Sequence, residues 1–237
     1  MKRKLYILLG GGSGLGRKLV DDLCKNNTVY ALINQSRIKE RKNLSTFKLD
    51  LSNKKSIDTF FFKNSKKIKK FDKIIFLSIA TTKEDRLLIN MSYKMIERVF
   101  KINVISNYYF CSKLMALATN KKVKIIFFSS SRALYGDAGI SLYSGSKHAL
   151  VGLMQSLICE NININFTCNI ISLGFFNTDL WKSLPKKIKD KLLSLTAYKK
   201  IGKFKEISNS VKYIDNNDYL NGCILKLDGG YGIVPHR

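Results

Sequence analysis

The 237-residue sequence predicts an α/β fold: one doubly wound parallel sheet of about seven strands with helices on both faces. Three observations carry this. Short apolar runs alternate with longer stretches of helical period. Several runs are continuous Ile, Leu and Phe, as strands covered on both faces require. A glycine cluster follows the first run directly. Strands are expected at residues 4–9, 28–33, 46–49, 73–78, 123–129, 165–172 and 223–227. Helices are expected at 14–26, 54–69, 92–120, 141–160 and 205–215, with a short pair within 179–196. No linker, repeat or composition shift divides the chain, so residues 1–237 read as one domain. The first apolar run stops at Gly10-Gly11-Gly12, too short for a signal peptide, and a cytoplasmic protein is expected.

Composition excludes several classes. Hydrophobic residues make up 45%, enough for a sizeable core, so a disordered chain is excluded. With 2 prolines and 15 clustered glycines, collagen-like and linker-like readings fail. The five cysteines are scattered without a C-x-x-C pair, which favours buried thiols over a metal or redox site. Charge is the outlier, at +25. Lysines fall in solvated runs such as Lys66-Lys67-Ile68-Lys69-Lys70, with no groove-reading helix or stacking platform for nucleic acid. Codon bias explains that excess most simply; a phosphate-rich ligand or an acidic carrier partner is compatible with it.

Two constellations carry chemistry. The first strand runs into Gly10-Gly11-Gly12-Ser13-Gly14-Leu15-Gly16 and then a helix. Glycines there permit a tight turn and close approach of backbone to a diphosphate at a helix N-terminus. A P-loop would need Lys and Ser/Thr after Gly16 but meets Arg17-Lys18, and the G-x-G-x-x-G spacing also misses. The second is Tyr143 and Lys147, one helical turn apart, with Ser130 thirteen residues upstream at a strand end. An ammonium near a phenol lowers its pKa toward working pH, as acid/base catalysis requires.

These features together resemble the short-chain dehydrogenase/reductase family over essentially the whole chain. Its T-G-x-x-x-G-x-G is matched from Gly10 to Gly16, with Leu9 in place of Thr. Its Y-x-x-x-K is Tyr143 and Lys147, its serine Ser130, and its helix asparagine Asn103. Its N-x-x-x-P-G-x-x-x-T appears from Asn169 to Thr178, with Leu173 for the proline before Gly174. Its N-N-A-G is reduced to Ser78-Ile79-Ala80-Thr81, and its C-terminal D-G-G is kept at Asp228-Gly229-Gly230.

The resemblance implies a Rossmann-type fold and transfer of a hydride between a nicotinamide and a carbonyl carbon. Tyr143 would move the proton, Lys147 would lower its pKa and bond the ribose, and Ser130 would orient the carbonyl. Asn103 would hold a water leading from Lys147 to solvent. Cofactor contacts are implied at Gly10, Gly12, Ser13, Gly14, Leu15, Gly16, Asp50, Leu51, Ala80, Tyr143, Lys147, Gly174 and Thr178. The second strand ends in Ile33-Asn34-Gln35-Ser36-Arg37, with no acid for the ribose hydroxyls and with Arg37 to meet a 2′-phosphate, so NADP(H) is favoured over NAD(H). Ser52 is a candidate N-cap for the following helix.

The stretch Thr82 to Leu88 resembles 3-oxoacyl-[acyl-carrier-protein] reductases, which implies a 3-oxoacyl thioester, carrier-bound or free, as the substrate. Lys83, Arg86, Arg132 and Lys182 would then steer an acidic carrier at the rim. A keto-sugar or polyol reductase and a non-catalytic nicotinamide-nucleotide sensor are the alternatives. Trp181, Phe175, Phe176 and Leu180 suggest an apolar lid or a hydrophobic patch in an oligomer interface; Asp72 and Asp228 read as turn formers, His148 as packed or solvent-facing, and His236 as part of a terminal tail. The helices at 92–120 and 141–160 carry Tyr108, Phe110, Leu114, Leu150 and Leu153, an apolar surplus expected to build a homodimer or homotetramer.

Overall fold

A computed structural model describes residues 3–162 and 165–233, with backbone alone at positions 179 and 180; His236 and the Leu180 side chain lie outside what is described. The strands are β1 (Lys4–Leu9), β2 (Thr28–Ile33), β3 (Leu44–Lys48), β4 (Lys73–Ser78), β5 (Lys122–Ser130), β6 (Phe166–Leu173) and β7 (Ile224–Leu227). They form one sheet in the order β3-β2-β1-β4-β5-β6-β7, every pairing parallel. Helices are α1 (Gly14–Leu23), α2 (Lys54–Ile68), α3 (Tyr93–Phe100), α4 (Ser106–Leu117), α5 (Ser131–Tyr135), α6 (Ser141–Glu160), α7 (Asp179–Ser183), α8 (Lys186–Ser194) and α9 (Phe204–Asn216). Among the described residues no helix is long and apolar enough to cross a membrane.

The continuous apolar strands divide by parity. Leu5, Ile7 and Leu9 face one core with Ile74 and Phe76, under α2, α4 and α6. Tyr6 and Leu8 face the other with Ile75 and Leu77, under α1 and α9. Side chains alternate faces along a strand, so two covered faces turn an alternating pattern into an unbroken one. On the first face Phe76 stacks on Phe110, centroids 4.7 Å apart and planes at 12°.

Four expectations need correction. The helix read across 92–120 is interrupted by a π-turn over Lys101–Ile105, because side chains bind the carbonyls there: Ser106 Oγ donates to Ile102 O at 2.6 Å and Asn107 Nδ2 to Asn103 O at 2.8 Å. Helix α1 stops at Leu23, three residues early, where Asn27 Nδ2 donates to the Leu23 carbonyl. The N-cap of α2 is Asn53, whose side chain accepts from Lys55 N at 3.0 Å, while Ser52 donates instead to Asp50. The apolar surplus on α4 and α6 is mostly absorbed internally: Phe110, Leu114, Leu150 and Leu153 are buried against the chain's own sheet, and only Tyr108 of the five is exposed.

Some of the lysine excess is structural. Lys124, fully buried in β5, donates to the carbonyls of Ile214 at 3.0 Å and Asn217 at 2.8 Å and pairs with Asp218 at 2.9 Å. Buried Asp215 gathers Lys4, Lys73 and the Tyr6 hydroxyl. Paired in this way, the buried charges tie α9 to the strand N-termini, opposite the glycine loop.

Candidate active site

The glycine loop leaves β1 at the carboxyl edge of the sheet, where sheets of this kind bind their ligands. Gly10 has φ +84°, and a Cβ on it would stand 2.6 Å from Ala80 N. A Cβ on Gly16 would stand 2.0 Å from the Gly10 carbonyl oxygen. The loop and the first turn of α1 are therefore pressed together as only glycine allows, which leaves backbone facing the cleft.

That cleft has a volume of about 700 Å³. Its walls include Gly10, Gly12, Ser13, Leu15 and Gly16 from the loop, Asp50 and Leu51 after β3, and Ala80 after β4. At the far end come Ser130, Tyr143, Lys147, Gly174 and Thr178. Gly14 takes a left-handed backbone, φ +53°, outside the lining. Arg37 is exposed and follows the lining residue Ser36 without reaching the wall itself. Residues 165–178 bring Gly174 so near β7 that a Cβ on it would stand 2.6 Å from Asp228 Cα. Thr178 caps α7 by accepting from Trp181 N at 3.2 Å.

The three serines closing β5 separate by environment. Ser129 is buried, and Ser131 is tied to Asp228 at 2.5 Å and to Ser172 at 3.2 Å. Ser130 alone of the three lines both cavities that meet at Tyr143 without being consumed by the core. Asn103 is fully buried in the π-turn, where its amide donates to Thr82 O at 2.8 Å and Ser146 Oγ at 2.9 Å and accepts from Thr82 N at 2.8 Å. Its side chain is thus engaged by protein. It joins the loop after β4 to the residue preceding Lys147. Thr82 and Ser146 were not foreseen as site residues, since only their contact with Asn103 singles them out.

The electrostatics differ from the expected phenol activation. Lys147 Nζ lies 5.7 Å from the Tyr143 ring centroid and donates to Phe128 O at 2.9 Å. Burial brings Lys147 down to about 8. Burial also raises the Tyr143 phenol, and the Asp85 charge adds to this, while the Ser130 hydrogen bond and the Arg132 charge oppose it. In the fold by itself desolvation wins, and Tyr143 is held protonated.

A stability consequence follows. Lys147 has a folded value below its ordinary 10.5, so below about pH 8 folding must bury a charge that the unfolded chain keeps in water. That penalty lifts as pH rises through 8 toward 10.5. Relative to Lys147→Met, wild-type unfolding free energy should gain roughly 3 kcal/mol across that window, at 1.36 kcal/mol per pKa unit. Urea unfolding of both proteins at pH 7.5 and 10 checks it; a difference independent of pH refutes it.

Comparison with known proteins agrees with the architecture. Residues 13–232 match the family described as enoyl-(acyl carrier protein) reductase. The 3-oxoacyl-[acyl-carrier-protein] reductase FabG of Buchnera aphidicola subsp. Schizaphis graminum is 30% identical over 97% of this chain and 98% of its own. Carbonyl reductase family member 4 of Xenopus laevis is 24% identical over 96% of this chain and 97% of its own. Among solved structures, a 4-hydroxyisoleucine dehydrogenase complexed with NADH superposes with a TM-score of 0.88 at 23% identity, covering 98% of this chain and all of that one.

Proposed function

The chain belongs to the short-chain dehydrogenase/reductase family, and we propose that within it the protein is an NADP(H)-dependent reductase of a ketone to a secondary alcohol, its substrate a 3-oxoacyl thioester. The observation that carries this reading is one continuous cleft, opening on the glycine loop and ending at Ser130, Tyr143 and Lys147. The 3-oxoacyl-[acyl-carrier-protein] reductases among its relatives support the substrate class.

The residues present fit a dinucleotide. A Cβ on Gly10 or Gly16 would strike backbone, so only glycine keeps the loop this tight beside the amides at the start of α1. Gly12, Ser13 and Leu15 would hold the diphosphate, Asp50 and Leu51 the adenine, Ala80 and Lys147 the ribose side, and Gly174 and Thr178 the nicotinamide side. When bound, the reduced nicotinamide supplies the hydride. Tyr143 donates its proton to the carbonyl oxygen as that oxygen gains charge, and its half-buried, protonated phenol suits a donor. Ser130 donates a hydrogen bond to the same oxygen and orients it. Lys147 stabilises the phenolate left behind. Asn103 is a positioning residue that fixes the Thr82 loop against α6. A homodimer or homotetramer belongs to the same proposal, supported now by exposed Ile105 and Tyr108 near α4.

Absorbance of NADPH, followed against 3-oxoacyl thioesters (free and carrier-bound) and keto-sugars, tests the reading. Thioester-dependent oxidation supports it, and activity confined to keto-sugars overturns the substrate class. NADP(H) preference has its own test. Charge on a guanidinium next to Ser36 should matter only to a cofactor with a 2′-phosphate, so Arg37→Ala should weaken NADPH about tenfold or more and leave NADH unchanged. Calorimetric titration with both cofactors checks this; equal weakening makes Arg37 structural.

A further inference from the structure

A second cavity, of about 150 Å³, meets the main cleft at Ser130 and Tyr143. Lys83, Asp85 and Arg132 bring charge to its wall, and Ile140, Phe175 and Tyr231 bring apolar surface. We infer that this cavity receives the part of the substrate beyond the reacting carbonyl, and that this part is short and ends in a carboxylate held by Arg132 with Lys83 beside it. The inference rests on the proposed role of Tyr143 and narrows the substrate class to carboxylate-ended 3-oxoacyl compounds.

Volume speaks first. The cavity is small, about 150 Å³ beside about 700 Å³ for the main cleft, and suits a short group better than a long acyl tail. The apolar wall is braced from behind. Phe175 lies against Trp181, centroids 5.4 Å apart, and edge-on to Tyr231 at 5.7 Å.

Charge speaks second. Arg132 sits two residues past Ser130, in the first turn of α5. Asp137 holds its Nε at 3.1 Å and Nη2 at 2.5 Å. Asp137 takes one edge of the planar guanidinium, whose five donors leave further N–H groups for a planar anion. Asp85, the one acid on the wall among the described residues, is occupied by Lys83 at 2.5 Å. Both pairs are partly solvated, with side-chain exposures of 35% and 44% for Lys83 and Asp85 and 29% and 38% for Arg132 and Asp137. Partly solvated pairs of this kind are weak, so a ligand carboxylate entering the cavity competes for the same cations. Two of the four cations expected to steer a carrier from the rim, Lys83 and Arg132, thus lie on the wall beside the reacting hydroxyls. A purely fatty acyl tail would strip water from these charges and return nothing.

Three esters test this with NADPH: ethyl acetoacetate, the mono-ethyl ester of 3-oxoglutaric acid, and ethyl 3-oxodecanoate. The carboxylate-ended ester should show the highest kcat/KM, by about 100-fold over ethyl acetoacetate, the scale of one charge-assisted bidentate contact. Arg132→Gln should erase that advantage through KM, and Arg132→Lys should restore part of it. Trp181 is the sole tryptophan and lies against Phe175 of the cavity wall, so glutarate should perturb its fluorescence in wild type and not in Arg132→Gln. Preference for the decanoate ester, or equal loss on all three esters in Arg132→Gln, overturns the inference. Tyr143-dependent reduction of ethyl acetoacetate without carboxylate preference sinks the inference and leaves the proposed function standing. Turnover insensitive to Tyr143→Phe sinks the function instead, and glutarate binding still decides whether the cavity takes a carboxylate.

Discussion

Tyr143→Phe should lower turnover about 100- to 10,000-fold, the range typical of general acid/base catalysis, and leave NADPH affinity nearly unchanged. The substitution keeps the ring and its packing at the start of α6 and deletes one oxygen. That oxygen is the group the proposed mechanism requires to move a proton. Burial holds the wild-type phenol protonated across the neutral range, so the loss should persist at every pH where the fold is stable. Steady-state NADPH oxidation beside a fluorescence titration of the cofactor separates the two quantities. Turnover near wild type would transfer the proton's source to another group.

Gly16→Ala should be the most damaging single change in the cofactor cleft. The new Cβ would lie 2.0 Å from Gly10 O and 3.1 Å from Ile79 Cγ2. The first obstacle is backbone, so no rotamer change relieves it, and Gly10 is itself pressed against Ala80. Helix α1 must back away from the loop. Overpacking of this kind costs about 1–3 kcal/mol or more. At about 2–4 °C per kcal/mol for a chain of this size, melting should fall by several degrees. Displacing the amides that face the diphosphate should weaken NADPH by about 100-fold. Gly14→Ala is the control. Its φ is +53°, yet a Cβ there meets open space, so its cost is confined to the left-handed backbone, about 1–2 kcal/mol. Cofactor affinity in that variant should stay within about threefold. Equal damage from both changes would mean that backbone strain, not the close approach, makes glycine necessary.

Much of this molecule was legible along the chain. The strands Lys4–Leu9, Thr28–Ile33 and Lys73–Ser78 and the helix Ser141–Glu160 begin and end where periodicity and the flanking breakers put them. Each is buried deeply enough for local pattern and tertiary environment to agree. The glycine loop and the Tyr143–Lys147 spacing were legible for a related reason: a tight turn and one helical turn are local geometries, encoded in neighbouring residues. The surroundings of Asn103 were not, because its side chain bonds Thr82 and Ser146, partners 21 and 43 positions away. Nor was the short helix Ser131–Tyr135 legible, since its first residue is anchored to Asp228 on the far side of the site.

Residue types and their spacing therefore determined the α/β sheet, the dinucleotide loop and the identity of the candidate catalytic groups. Only the tertiary structure decided that Ser130, and neither Ser129 nor Ser131, lines both cavities, and which way burial moves Tyr143 and Lys147. It also decided that Lys83 and Arg132 share one small cavity with the reacting hydroxyls. The physical reason is range. Propensity and periodicity act over one or two turns of chain, whereas desolvation and charge pairing depend on whatever the fold brings within a few ångströms.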